Sequence, residues 1–206
     1  MRAIVLALFL VLASSAEAKA QDWWWQFSYN MGTPAANTTD YISQFSFRGV
    51  GFQGRKMMDF QNTWSLGFDL SWQVFNEKNT GTTAFNPAGT SLGDDSRSAL
   101  SGTAFKYINA FPMLASGHYY IGGSRRGETI GWVGLNAGMY YIEERTEAGL
   151  WAVTNDAWLF GGAPEVGIAM PAGQTLLTGT VRYNWTAEAN GIDVNFWTFA
   201  IGIASR

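Results

Sequence analysis

Five charged residues, Arg48, Asp69, Lys106, Glu165 and Arg182, fall at polar positions in stretches where polar and apolar residues alternate. Side chains two apart share one face of a β-strand, so all five are expected on the same, inner side of their strands. A buried charge costs several kcal/mol unless it is paired, so opposite charges held there must meet. Glu165 and Arg182 flank Pro171-Ala172-Gly173-Gln174, whose composition predicts a tight turn that would lay their strands side by side. The chemistry expected of the five is an ion-pair network that plugs a lumen. Ions lining a conduction path are the weaker alternative, because a small barrel is filled by its own side chains.

The other candidates carry less. His118 is the single histidine, and Tyr119-Tyr120-Ile121 follows it without an adjacent serine. Nucleophilic catalysis needs a base within reach of a nucleophile. One histidine also cannot build a usual transition-metal site unless several carboxylates converge on it. Gly49-Val50-Gly51-Phe52-Gln53-Gly54 spells a dinucleotide fingerprint. That reading requires a following helix, and a strong strand follows instead. Strand glycines leading into a turn account for it. Asn37-Thr38-Thr39 and Asn184-Trp185-Thr186 spell glycosylation acceptors, a spelling without meaning if the chain is bacterial. With no cysteine, disulfides, thiolate metal sites and thiol catalysis are excluded. No catalytic residue, metal site or cofactor is expected.

The elements that must position the charges are strands. From Thr63 to Phe75, Trp64, Leu66, Phe68, Leu70, Trp72 and Val74 alternate with Ser65, Gly67, Asp69, Ser71 and Gln73. A helix would scatter the apolar set, since residues two apart lie about 200° apart around its axis. Looser alternation recurs seven times: Trp25–Met31, Gln44–Arg48, Ser101–Tyr107 continuing to Ile121, Val133–Tyr141, Trp158–Met170, Leu177–Trp185 and Trp197–Ile203. Eight is an even count, as a closed bacterial barrel needs. Counted from a periplasmic N-terminus, the expected outward loops are Gly32–Tyr41, Asn76–Arg97, Thr146–Asp156 and Ala189–Ile192. The expected inner turns, Gly54–Asp59, Gly122–Glu128 and Pro171–Gln174, are compact.

Composition agrees with a membrane barrel. Of 206 residues only 14% are charged, 16% are aromatic and 24 are glycine, with ten tryptophans. The mean hydropathy is nevertheless -0.04, so apolar residues are diluted evenly instead of gathered into helical spans. A net charge of -3 argues against nucleic acid as a partner. Met1-Arg2, the apolar run from Ala3 to Ala13 and the small residues up to Ala20 read as a secretory signal peptide over 1–20. Residues 21–206 are then the barrel domain. Six bulky residues per strand, repeated eight times, would overfill so narrow a lumen. The large side chains are therefore expected to face lipid, with closure pairing every backbone group. Trp23-Trp24-Trp25, Trp72, Tyr140-Tyr141, Trp185 and Trp197 are expected in interfacial girdles.

Three segments carry a family resemblance: Trp158–Gly167, Val181-Arg182-Tyr183-Asn184-Trp185 and Asn195–Gly202. Together with the strand pattern they resemble the small outer-membrane β-barrels of the OmpA-like and OmpW-like kind. The resemblance implies an all-β fold, an eight-stranded antiparallel up-and-down transmembrane barrel. It implies outer-membrane lipid, lipopolysaccharide and the barrel-assembly machinery as partners. The final residues, Ile203-Ala204-Ser205-Arg206, lack the terminal aromatic usual in such proteins, which moves the expected insertion signal to Trp197 and Phe199. The expected function is non-enzymatic, structural or surface-interacting through the outer loops. A narrow channel for small hydrophobic solutes, a soluble periplasmic ligand-binding barrel and, last, a lipid A-modifying enzyme are the alternatives.

Overall fold

A computed structural model describes residues 23–205 apart from 60, 86–97, 123–126, 150 and 190, with the backbone alone over 81–85 and 98–102. The expected signal peptide lies outside the described residues. Eight strands run in order: β1 (Trp23–Ala35), β2 (Arg48–Met57), β3 (Trp64–Phe85), β4 (Ser98–Ile121), β5 (Ile130–Ala148), β6 (Trp151–Ala172), β7 (Thr175–Thr186) and β8 (Asn195–Ser205). One helical turn, α1 (Thr38–Tyr41), sits between β1 and β2. Every strand pairs antiparallel with its neighbours, and β8 pairs back onto β1 to close the barrel.

Alternation set the faces as expected along β3. Trp64, Leu66, Leu70 and Trp72 are exposed on the outer surface, whereas Ser65, Asp69 and Gln73 are buried inside. From Trp64 to Trp72 the strand takes eight steps. At about 3.4 Å each and a tilt of about 40°, they make an apolar belt about 20 Å tall. Aromatic rows edge it. Trp64 and Tyr119 touch near the turn end, with centroids 4.8 Å apart. Trp72, Phe111, Tyr141 and Trp158 form a continuous row at the loop end, with spacings of 5.8, 6.2 and 5.3 Å. Two expected girdle members are corrected: Trp24 and Tyr140 are fully buried in the lumen. Each stands between outward neighbours, and strand alternation sends it to the opposite face.

The boundaries differ from expectation in three ways. The strand expected over Gln44–Arg48 is displaced, since β2 runs from Arg48 to Met57 and residues 44–47 precede it. The first inner turn is Met58–Thr63, not Gly54–Asp59, and Gly49–Gly54 lies inside β2. Gly49 and Gly51 at the first inward positions gave the start of that strand no polar side chain to alternate with. The loops after β3 and β5 are also shorter than expected, because the strands continue past them. β5 reaches Ala148 and β6 starts at Trp151, so most of the expected loop Thr146–Asp156 is strand. Outside a membrane a strand can be polar on both faces, and the apolar contrast that marks it disappears. β3 to β6 have 22, 24, 19 and 22 residues, against 13, 10, 12 and 11 for β1, β2, β7 and β8. Half of the barrel therefore rises as a β-wall beyond the aromatic row.

Candidate functional site

The lumen is filled in three layers. Trp24, Met57, Tyr120, Ile130 and Trp132 close the turn end. Phe75, Ile108, Ile142, Leu159 and Phe196 close the loop end, with Ile42 inserted from the segment after α1. Room for these bulky groups comes from glycines on the facing strands. A Cβ at Gly167 would collide with the Trp132 ring, and one at Gly134 with His118. Between the two apolar layers lies the charge cluster.

Glu165 on β6 stands directly opposite Arg182 on β7. Its Oε2 accepts from Arg182 Nη2 at 2.8 Å, Arg182 Nε at 3.1 Å and Asn136 Nδ2 at 3.1 Å. Its Oε1 accepts from Arg55 Nη2 at 3.1 Å, His118 Nε2 at 2.8 Å and Trp132 Nε1 at 3.0 Å. Arg182 reaches across the lumen to β3 and holds Asp69 with both terminal nitrogens, at 3.0 and 2.6 Å. Such two-pronged contacts between guanidinium and carboxylate are short and directional. Gln53 ties the halves together by donating to Asp69 and accepting from Arg55. The Arg55 guanidinium also lies against the Trp24 and Trp132 rings, 5.7 and 4.8 Å from their centroids.

Two guanidiniums therefore face two carboxylates, so the cluster is neutral when His118 is neutral. An ionised carboxylate only accepts, so His118 carries its proton on Nε2. The cluster also mends the backbone. Pro164 cannot donate to the ladder, and pairing of β6 with β7 is interrupted there. Asn136 Nδ2 donates to the Ala163 carbonyl at 2.9 Å, and Tyr140 Oη to the Gly162 carbonyl at 3.3 Å. Among the described residues His118 shares its hydrogen bond with Glu165 and with no hydroxyl, and Ser65 Oγ is bonded to Tyr120 Oη at 3.0 Å. A cavity of about 10 Å³ beside Asp69, Arg182 and Thr180 has room for about one water molecule.

Of the five charges singled out in the sequence, Asp69, Glu165 and Arg182 come together. Lys106 points inward but stands above the loop-end layer. It donates to the Tyr41 carbonyl at 3.1 Å and lies 4.8 Å from the Tyr41 ring centroid. Arg48 is not in the lumen. It is exposed on the outer surface, in phase with Val50. The cause is a β-bulge: Tyr29 pairs with Val50 and Gly32 with Ser46, so three steps along β1 face four along the other chain. One extra residue reverses the facing of everything before it. Sequence reasoning missed Arg55, Gln53, Asn136, Trp132 and the placement of His118. Gln53, Arg55 and Met57 do alternate with Phe52, Gly54 and Lys56, and assigning Gly54–Asp59 to a turn hid that signal.

Among solved structures, the chain is similar to Neisserial surface protein A, with a TM-score of 0.55 at 11% identity, covering 89% of this chain and 96% of that one. The fold is that of a small outer-membrane β-barrel. Two other outer-membrane barrels also match: OprG from Pseudomonas aeruginosa (TM-score 0.46, 13% identity, 89% and 94% covered) and Ail of Yersinia pestis (0.44, 9%, 89% and 96%). No protein-family model matches the chain, and no curated protein sequence does. At such identities the likeness is one of backbone, and the lumen cluster of this barrel stands on its own geometry.

Proposed function

We propose that this chain is a non-enzymatic integral outer-membrane barrel with a sealed lumen, which presents its projecting β-wall and loops as an interaction surface. The observation that carries the reading is the reversal of the usual burial pattern. Large apolar side chains cover the outside, Phe27, Leu135 and Ile201 each being more than 60% exposed, while Arg55, Asp69, Glu165 and Arg182 are buried. Such a surface suits hydrocarbon, and closure leaves no unpaired strand edge within the belt. The turn end with both termini then faces the periplasm and the wall faces outward. Lipid and lipopolysaccharide surround the belt, and the charge cluster acts as a structural clamp.

The two apolar layers argue against a conduit, because a solute would have to displace both. They equally keep substrate from His118. The test is fractionation followed by heat-modifiable migration. Recovery with the outer membrane, with different mobility before and after boiling, is the expected result. Recovery in the soluble periplasm would overturn the proposal.

A further inference from the structure

Arg48 stands on the outer face where a bulge against β1 begins β2. The Tyr29 hydroxyl donates to the Phe47 carbonyl, and Ser46 Oγ donates to the Val74 carbonyl. The Arg48 amide donates to Ser46 Oγ at 3.1 Å, and Gln73 Nε2 donates to the Arg48 carbonyl at 3.2 Å. Four side-chain hydrogen bonds thus fix the chain around the bulge, and Arg48 continues the outward phase of Val50 with its guanidinium outside the barrel. Its height is set by register: Val50 is opposite Trp72, and Arg48 opposite Val74. Arg48 therefore stands two residues beyond the tryptophan row, about 5 Å above it on a tilted strand. Tryptophan rows mark the hydrocarbon boundary, so this is headgroup level.

Its surroundings are apolar, with Tyr29, Phe47 and Val50 all exposed beside it. Among the described residues no carboxylate pairs with it. At the corresponding height on the far wall, Glu143 and Asp156 stand opposite one another, so anions are repelled there. A planar guanidinium with free donors matches a phosphate in a two-pronged contact.

We propose that Arg48 is the phosphate-binding residue of a lipid site on the outer face of β2, where a phosphorylated outer-leaflet glycolipid lays its acyl chains over Tyr29 and Val50. The assignment rests on the membrane reading above. The test uses the full chain folded in detergent micelles, with native mass spectrometry counting bound lipid. The probes are diphosphorylated lipid A and the same lipid with its phosphates removed. The unaltered chain is expected to retain the phosphorylated probe at least fivefold more than the dephosphorylated one. Arg48→Gln should abolish that preference, Arg48→Lys should keep part of it, and Arg145→Gln on the far wall should leave it unchanged. Equal retention of the two probes by the unaltered chain would overturn the assignment without need of any variant, as would full retention by Arg48→Gln. Failure of the membrane reading is visible separately, as absence of heat-modifiable migration in the unaltered chain.

Discussion

Glu165 and Arg182 show what a residue can decide inside a barrel. Each is buried, and each is satisfied by several partners, so removal of either strands charges on the other side. Loss of one member of a buried pair costs about 3–5 kcal/mol. Glu165→Ala and Arg182→Ala are each expected to lower stability by about that much, and the double variant by clearly less than the sum. Urea unfolding of the three variants checks this, and strict additivity would deny the coupling. A gentler effect sits at the turn end. In the Met58–Thr63 turn Asp59 accepts from the Thr63 hydroxyl, and from the Trp64 and Thr63 amides at 3.0 and 2.8 Å. The hydroxyl bond first, then the Trp64 amide, hold its carboxyl below the ordinary carboxylate range. A group whose pKa is lower folded than unfolded stabilises above the unfolded value and loses that contribution as pH falls through the folded one. The unfolding midpoints of the unaltered chain and Asp59→Ala should therefore differ at neutral pH and converge below about pH 4. A difference that survives strong acid would assign the effect to something other than ionisation.

At the scale of the strand, glycine on the inner face is what lets large side chains into a narrow barrel. Trp132 lies over Gly167, so even one added methyl group meets the ring. Overpacking of this kind costs about 1–3 kcal/mol. Gly167→Ala is expected to destabilise by that amount. Gly117→Ala, whose new methyl would find its nearest neighbour 3.7 Å away on Leu66, should be close to neutral. Equal midpoints for the two variants in a thermal melt would show that Trp132 moves aside freely. The same glycines explain why β2 was hard to delimit: Gly49 and Gly51 occupy inward positions that would otherwise carry polar side chains. Period-two alternation located seven of the eight strands and misplaced the second, expected over Gln44–Arg48 and found at Arg48–Met57; strand lengths could not be read, because alternation weakens where both faces meet water.

For the whole molecule, the layered lumen and the uneven rim have separate consequences. Apolar plugs above and below the cluster predict a barrel closed to ions. Planar-bilayer recordings of the refolded chain are expected to show no discrete steps, and a reproducible unitary conductance would refute the sealed lumen. The four long strands raise the wall on one side only, and α1 and its flanking segment fold against it. Tyr41 Oη meets Thr146 Oγ1 at 2.7 Å, and the Ser43 amide donates to Glu77 at 2.6 Å. These bonds hold Ile42 in the upper plug, so the surface offered outward is built on the same packing that closes the barrel.

Alternation in the sequence by itself determined that the chain is a barrel, that bulky residues such as Trp64 and Leu66 face out, and that Asp69, Glu165 and Arg182 face in. It could do so because the period of a strand is two wherever lipid lies on one side and a polar lumen on the other. The short turn also paired Glu165 with Arg182 in the sequence, and only the tertiary structure decided which other groups join them. Arg55 and His118 reach Glu165 from strands β2 and β4, far off in sequence, and no local pattern encodes the spacing around a closed ring. It also decided the fate of Arg48, because one extra residue paired against β1 reverses a side chain's direction, and a bulge is defined by the partner strand and not by the chain that carries it.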